Sequence, residues 1–344
     1  MKRALGLMVI VASLVAVAVV VGAATAAPAK NQDTSMTGAG STFVFPLVSK
    51  WIPALGAAYG YNVSYSPIGS GGGIAAITAK TVDFGATDAP LSQDQFAACK
   101  GCVEVPWALS ATAVMYNLPG LKCVLRLNGK LLADIYLGNI TTWNDPRIVQ
   151  NNGTCGLLDL KITPVYRSDN SGTTYNFTDY LASVSPTWKS KLGVGVNAQW
   201  PAGLGAKGSS GISGVLSKTP GAIGYADVAY ALKNKIRFAS MQNASGKYAT
   251  PGLRGIQAAA ATLPNKITSD GALSIVNPAK GNPLAYPIST FTYVVVSSGS
   301  SKAAELRKMV FWAVTQGQSY GKPLLFQPLP KQVQAFAYKQ IKKI

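Results

Sequence analysis

Short apolar runs alternate along the chain with longer stretches in which apolar positions recur every three or four residues. Strand-like and helix-like periods taking turns are the mark of an α/β fold. Segments 62–66, 82–86, 162–167, 222–225 and 291–296 read as strands from their β-branched and aromatic content. Segments 72–80, 173–181 and 302–315 read as helices. Val48, Trp51, Ile52, Leu55 and Tyr59 fall on one face of a further helix. Pro46 suits its first turn, whereas Pro53 in its interior predicts a kink. Pro164 counts against the strand 162–167 or places it at a sheet edge, because proline cannot donate to a ladder. Glycine and proline are scattered among the periodic segments, so they mark tight turns rather than a low-complexity tract.

The N-terminus has a different pattern. Lys2 and Arg3 form a positive start, 5–22 is almost wholly apolar, and Ala24-Thr25-Ala26 offers a small-residue site. Segment 1–26 therefore reads as a secretory signal peptide. Its apolar stretch is also long enough to act as a membrane anchor. Either way the remainder is expected outside the cytoplasm, in the periplasm or at the cell surface. No cysteine precedes Cys99, which excludes a lipid-modified N-terminal cysteine. The even set Cys99, Cys102, Cys123 and Cys155 favours disulfides in an exported chain. A short 99–102 bridge with a 123–155 bridge is the favoured pairing of the three possible. Zinc would need a second C-x-x-C or histidines.

Composition narrows the chemistry. The 344 residues contain 31 Lys and Arg, 13 Asp and Glu, and no histidine, a formal charge of +18. Ser-His-Asp and Cys-His catalysis and imidazole metal sites are thereby excluded. Scattered carboxylates give no metal cluster, and no cofactor is expected. The basic residues are dispersed, apart from Lys339, Lys342 and Lys343, so a solvated basic surface is favoured over a nucleic-acid interface. Segment 203–211 lacks the G-K-[ST] order of a phosphate-binding P-loop. A surface with few carboxylates loses little on acidification, so an acidic external medium is expected.

Three places share one design, a strand end followed by a Gly/Ser/Thr turn and a helix start: 37–43, 67–73 and 168–174. A helix start presents unpaired N–H groups and a partial positive charge. Glycine admits an anion to the backbone, and Ser or Thr adds a hydroxyl donor. Converging turns of this kind make an oxyanion cage; singly, each is an ordinary capped helix. Arg167 closes the strand before the third turn, and its planar fork suits phosphate oxygens. Asp169, two residues on, shares a face with Arg167 and would orient it; the bland alternative is a surface ion pair worth under about 1 kcal/mol. Asp88 follows the strand 82–86, where open α/β sheets bind ligands, although an N-cap or turn aspartate reads equally well from this residue alone.

Gly38-Ala39-Gly40-Ser41-Thr42-Phe43, Gly69-Ser70-Gly71-Gly72 and Val82 to Ser92 together resemble the periplasmic phosphate-binding proteins of phosphate ABC importers (PstS type). Asp134-Ile135-Tyr136-Leu137-Gly138 with Trp143, Ser171-Gly172-Thr173 and Pro220 to Tyr225 extend the match in order and spacing. The resemblance implies a two-lobed binding protein, not an enzyme, that closes around one phosphate and delivers it to a membrane permease as a monomer. It implies ligand contacts from Ser41, Thr42, the Phe43 N–H, Ser70, Asp88, Arg167, Ser171, Gly172 and Thr173, with Asp169 behind Arg167. The lobes are expected at 33–113 plus 289–344 and at 114–288, with hinge crossings near Met115 and Ile288. The cysteines, Pro53, the acid-poor surface and the missing histidines depart from the family pattern. A sulfate or molybdate receptor would use the same helix starts, but Asp88 would repel an unprotonated dianion. A secreted phosphatase would want a metal cluster or an activated nucleophile.

Overall fold

The short apolar runs pair side by side into one mixed sheet. The computed structural model of the chain describes Met1 and residues 34–153, 155–268 and 273–344. Apart from Met1, the segment 1–26 expected to be a signal peptide lies outside the described residues. Among those residues no helix is long and apolar enough to cross a membrane.

The strands, in chain order, are β1 (Ser35–Gly40), β2 (Asn62–Ser66), β3 (Phe84–Thr87), β4 (Cys102–Tyr116), β5 (Arg126–Leu127), β6 (Thr163–Arg167), β7 (Leu204–Ala206), β8 (Ala222–Asp227), β9 (Arg237–Phe238), β10 (Ser240–Gln242), β11 (Tyr248–Ala249) and β12 (Ser289–Ser297). The main sheet runs β2-β1-β3-β12-β4-β8-β6-β7, and β9 adds to β4. A second small sheet is β11-β10-β5. β1 pairs in parallel with β2 and β3. β6 pairs in parallel with β7 and β8. Between these two parallel groups lie β12 and β4, antiparallel to each other and to their outer neighbours. β4 spans the change of partner: it pairs with β12 up to Ala111 and with β8 from Thr112. The expected α/β class is observed.

The helix Phe45–Tyr59 buries Leu47, Val48, Trp51 and Leu55, and it ends at Gly60 in the left-handed region. The helix is not broken at Pro53 but runs on through it. Pro53 lies on the exposed face, and the carbonyl that loses its partner belongs to exposed Ser49. The strand expected at 162–167 is present as β6, but the edge position offered for it is corrected, since β6 lies between β8 and β7. The Thr163 N–H donates to Gly221 O on the β8 side. By alternation Pro164 faces the β7 side, where pairing begins only at Val165 and Leu204. The missing donor thus falls just before the ladder. Cys99 is bonded to Cys102 and Cys123 to Cys155, the favoured pairing.

Candidate functional site

The carboxyl ends of the two parallel groups meet, and their loops supply the polar residues buried there. After β1, the chain turns at Gly40 (φ 138°), where any side chain would strike Ala86. This turn aims Ser41 at the end of β3. Ser41 Oγ accepts the N–H groups of Phe43 (3.0 Å) and Val44 (3.3 Å) and donates to Asp88 Oδ1. After β2, Gly69 (φ 91°) opens the helix Ser70–Thr78. Ser70 Oγ accepts the Asp88 N–H at 3.2 Å and lies 3.5 Å from Asp88 Oδ2. Asp88 is 2 % exposed.

The other group completes the ring. Arg167, at the end of β6, is 1 % exposed. Its Nε donates to Asp169 Oδ1 at 2.7 Å and its Nη2 to Asp169 Oδ2. Nη1 reaches Thr173 Oγ1 at 3.4 Å, and that hydroxyl donates to Asp88 Oδ2 at 3.4 Å. Ser171 caps the helix Gly172–Val184 by accepting the Thr174 N–H at 3.2 Å. A Cβ on Gly172 would lie 2.6 Å from Ser70 Oγ and 2.7 Å from the Asp88 N, so only glycine lets this helix start abut Asp88.

Ser41, Ser70, Asp88, Arg167, Asp169 and Thr173 are therefore brought into one bonded cluster, with Ser171 and Gly172 at its edge. Two expected residues face differently. The Phe43 N–H is directed to Ser41 Oγ, and its ring packs edge-on against Phe326. Thr42 Oγ1 engages Ser209 Oγ at 2.9 Å and the Ser209 N–H at 3.2 Å, while Thr42 O accepts from the Tyr230 hydroxyl at 2.9 Å.

Burial dominates the electrostatics. It pushes the Asp88 carboxyl up to about 6, against the pull of the Ser41 hydroxyl, the Arg167 charge, Thr173 and Ser70. Asp88 is thus ionised at neutral pH. Burial also pushes Asp169 upward, but the bonds and charge of Arg167 and the Gly208 N–H outweigh it, and its net direction is down. No group of three His, Cys, Asp or Glu is placed to hold a metal among the described residues. One guanidinium, several hydroxyls and a helix start supply donors, and one ionised carboxylate supplies an acceptor. That set suits a tetrahedral oxyanion which still carries a proton.

Sequence reasoning missed Ser209, Tyr230 and Tyr65, whose hydroxyl holds Ser41 O at 2.8 Å. Ser209 had a signal. Gly208-Ser209-Ser210-Gly211 opens the helix Gly208–Lys218 directly after β7, a fourth copy of the strand–turn–helix design. Gly208 also donates its N–H to Asp169 Oδ1 at 2.9 Å. The tyrosines carry no comparable pattern.

The family model of the PBP superfamily domain matches residues 24–311. A phosphate-binding protein PstS from Xylella fastidiosa (strain 9a5c) is 39 % identical over 325 residues, 92 % of this chain and 88 % of that protein. The PstS of Pasteurella multocida (strain Pm70) is 36 % identical over 308 residues, 88 % of each chain. Among solved structures, a phosphate-binding protein from Stenotrophomonas maltophilia superposes with a TM-score of 0.69 at 21 % identity, covering 89 % of this chain and 93 % of that one. At that identity the likeness speaks for the fold alone, a two-lobed α/β fold. By sequence, the chain belongs to the PstS family of phosphate-binding proteins, within the PBP superfamily.

Proposed function

We propose that this protein is exported, captures one inorganic phosphate between two lobes and hands it to the permease of an ABC importer. The observation that carries the reading is the Asp88 carboxylate, buried among the hydroxyls of Ser41, Ser70 and Thr173, with Arg167 joined to it through Thr173. Arg167 faces the ligand as a fixed fork, because Asp169 holds two of its nitrogens. Ser41, Ser70, Thr173 and the start of the helix Gly172–Val184 donate to phosphate oxygens. Thr42, the Phe43 N–H and Ser171 complete the loops on either side. Asp88 accepts the proton that phosphate retains at neutral pH. Sulfate brings no proton, so the same carboxylate opposes it in a water-poor cleft.

The lobes divide at 33–113 plus 289–344 and at 114–288. The change of partner along β4 supports a hinge there, and β12 begins just after Ile288. Lobe closure is the ordinary way to bury a small ligand between such halves. The protein acts as a monomeric binder and performs no chemistry on phosphate. A secreted phosphatase would release phosphate from a chromogenic ester, and this protein is expected to release none. Calorimetric titration of the ligand-stripped protein with phosphate tests the reading. One binding site per chain is expected; no heat together with no thermal shift contradicts it.

A further inference from the structure

The helix that begins at Gly172 meets Asp88 at more than its first turn. Asn176 lies four residues after Gly172 and three after Thr173, so it is a neighbour of both on the helix surface. Gly172 abuts the Asp88 backbone N and Cβ, and Thr173 donates to the carboxylate. Asn176, 2 % exposed, donates from Nδ2 to the Asp88 backbone carbonyl at 3.3 Å. Its other end is fixed as well, since Thr290 Oγ1 on β12 donates to Asn176 Oδ1 at 2.8 Å. The Asp88 carbonyl decides which way the amide points, because it can only accept, and this leaves Oδ1 for the Thr290 hydroxyl. Asn176 also lines a cavity of about 100 Å³ on this side of Asp88, together with Tyr175, Asp179 and Tyr293.

We infer that Asn176, seated by Thr290, is a positioning residue that latches the two lobes in the closed arrangement. It ties a helix of the 114–288 lobe to the end of β3 and to β12 in the other lobe. It does so without touching the groups proposed to meet phosphate. The contact is made by a neutral amide on a backbone carbonyl, so it holds whether or not the Asp88 carboxyl is ionised. A latch of this kind lengthens the life of the closed complex and leaves the choice of anion to Asp88. The inference rests on the proposed phosphate site and lobe division.

Asn176→Leu keeps the branched shape of the side chain and removes both hydrogen bonds. Two neutral bonds lost predict phosphate binding weaker by about tenfold. The loss should appear as faster release, with association changed less than about twofold. The ratio to the unmodified protein should be flat across pH, and the preference for phosphate over sulfate should be unchanged. Thr290→Val, which frees one end of the amide, should give a smaller effect of the same kind, and it serves where Asn176→Leu does not fold. Release as slow as in the unmodified protein in both variants overturns the latch. So does a change in anion preference, which would place Asn176 in the site itself. Small-angle scattering separates this inference from the function it rests on. The ligand-stripped Asn176→Leu protein should be more expanded than the unmodified one, a readout that needs no phosphate. Equal compactness would overturn the latch even if phosphate binds as proposed.

Discussion

Two arginine–aspartate pairs in this protein have the same local geometry and opposite surroundings. In each, the partners are two residues apart, and Nε and Nη2 of the arginine grip the two carboxylate oxygens. For Arg147 and Asp145 the distances are 2.9 and 2.8 Å, and for Arg167 the Nε bond to Asp169 is 2.7 Å. Each carboxylate also accepts a backbone N–H at 2.9 Å, from Arg147 itself or from Gly208. The Arg147 side chain, however, is 48 % exposed, while that of Arg167 is 1 % exposed. Arg147 lies in the first turn of the exposed helix Pro146–Asn152 that Asp145 caps, and its Nη2 also donates to Asn139 O. Arg167 has lost its water, and its free nitrogen is aimed through Thr173 at a second buried carboxylate. Pairing geometry therefore does not make a site. What the proposed site adds is a buried charge with donors converging from both halves of the sheet.

The comparison breaks most sharply by truncation. Arg167→Ala should weaken phosphate binding by about 1.5–3 kcal/mol, the scale of a bond to a charged group. It should also cost fold stability, because Asp169 keeps a largely buried charge without its partner. Arg147→Ala should leave phosphate affinity within about twofold and change stability by under about 1 kcal/mol. Calorimetry and denaturant unfolding of both variants decide this. Equal effects on binding would mean that burial does not distinguish the pairs.

Asp88 sharpens the comparison with a slightly smaller effect. Its carboxyl rises from 3.8 to about 6 on folding. Between those values the unfolded chain has lost the proton and the folded chain keeps it. Its contribution to stability is therefore fully present below the unfolded value and is lost as pH rises through about 6. The size is at most about 3 kcal/mol for the ligand-stripped protein. Asp88→Asn should flatten that part of the pH profile and raise stability at pH 7. Asp227, buried and also pushed well above the ordinary range by desolvation, acts in the same direction. Loss of the fold at mildly acidic pH would contradict both this and the acid-tolerant surface read from composition.

Much of this site was legible because its constraints are local. Gly40 and Gly69 are needed where the chain turns sharply against a neighbour, and Ser41, Ser70 and Ser171 stand at helix starts. Asp88 and Arg167 stood out because charge is scarce in this chain. Distance along the sequence hid little, since strand ends gather loops at one edge of the sheet. β4 was not legible. Nearly all of its fifteen residues are buried, so no polar alternation marks a strand. Ser209 was passed over because its segment was tested against the P-loop pattern instead of the strand–turn–helix design around it. Asn176 sits inside a helix, where no period or cap distinguishes a bridging amide from a solvated one.

Competition at pH 7 between labelled phosphate and a large excess of sulfate bears most directly on the central claim, that the buried Asp88 carboxylate selects an oxyanion carrying a proton. The unmodified protein should retain phosphate at pH 7 and begin to yield to sulfate below about pH 6, where Asp88 takes up a proton. Asp88→Asn should narrow the gap already at pH 7, because an amide can donate to either anion. Sulfate competing on equal terms with the unmodified protein at pH 7 would contradict the claim and remove Asp88 from its role.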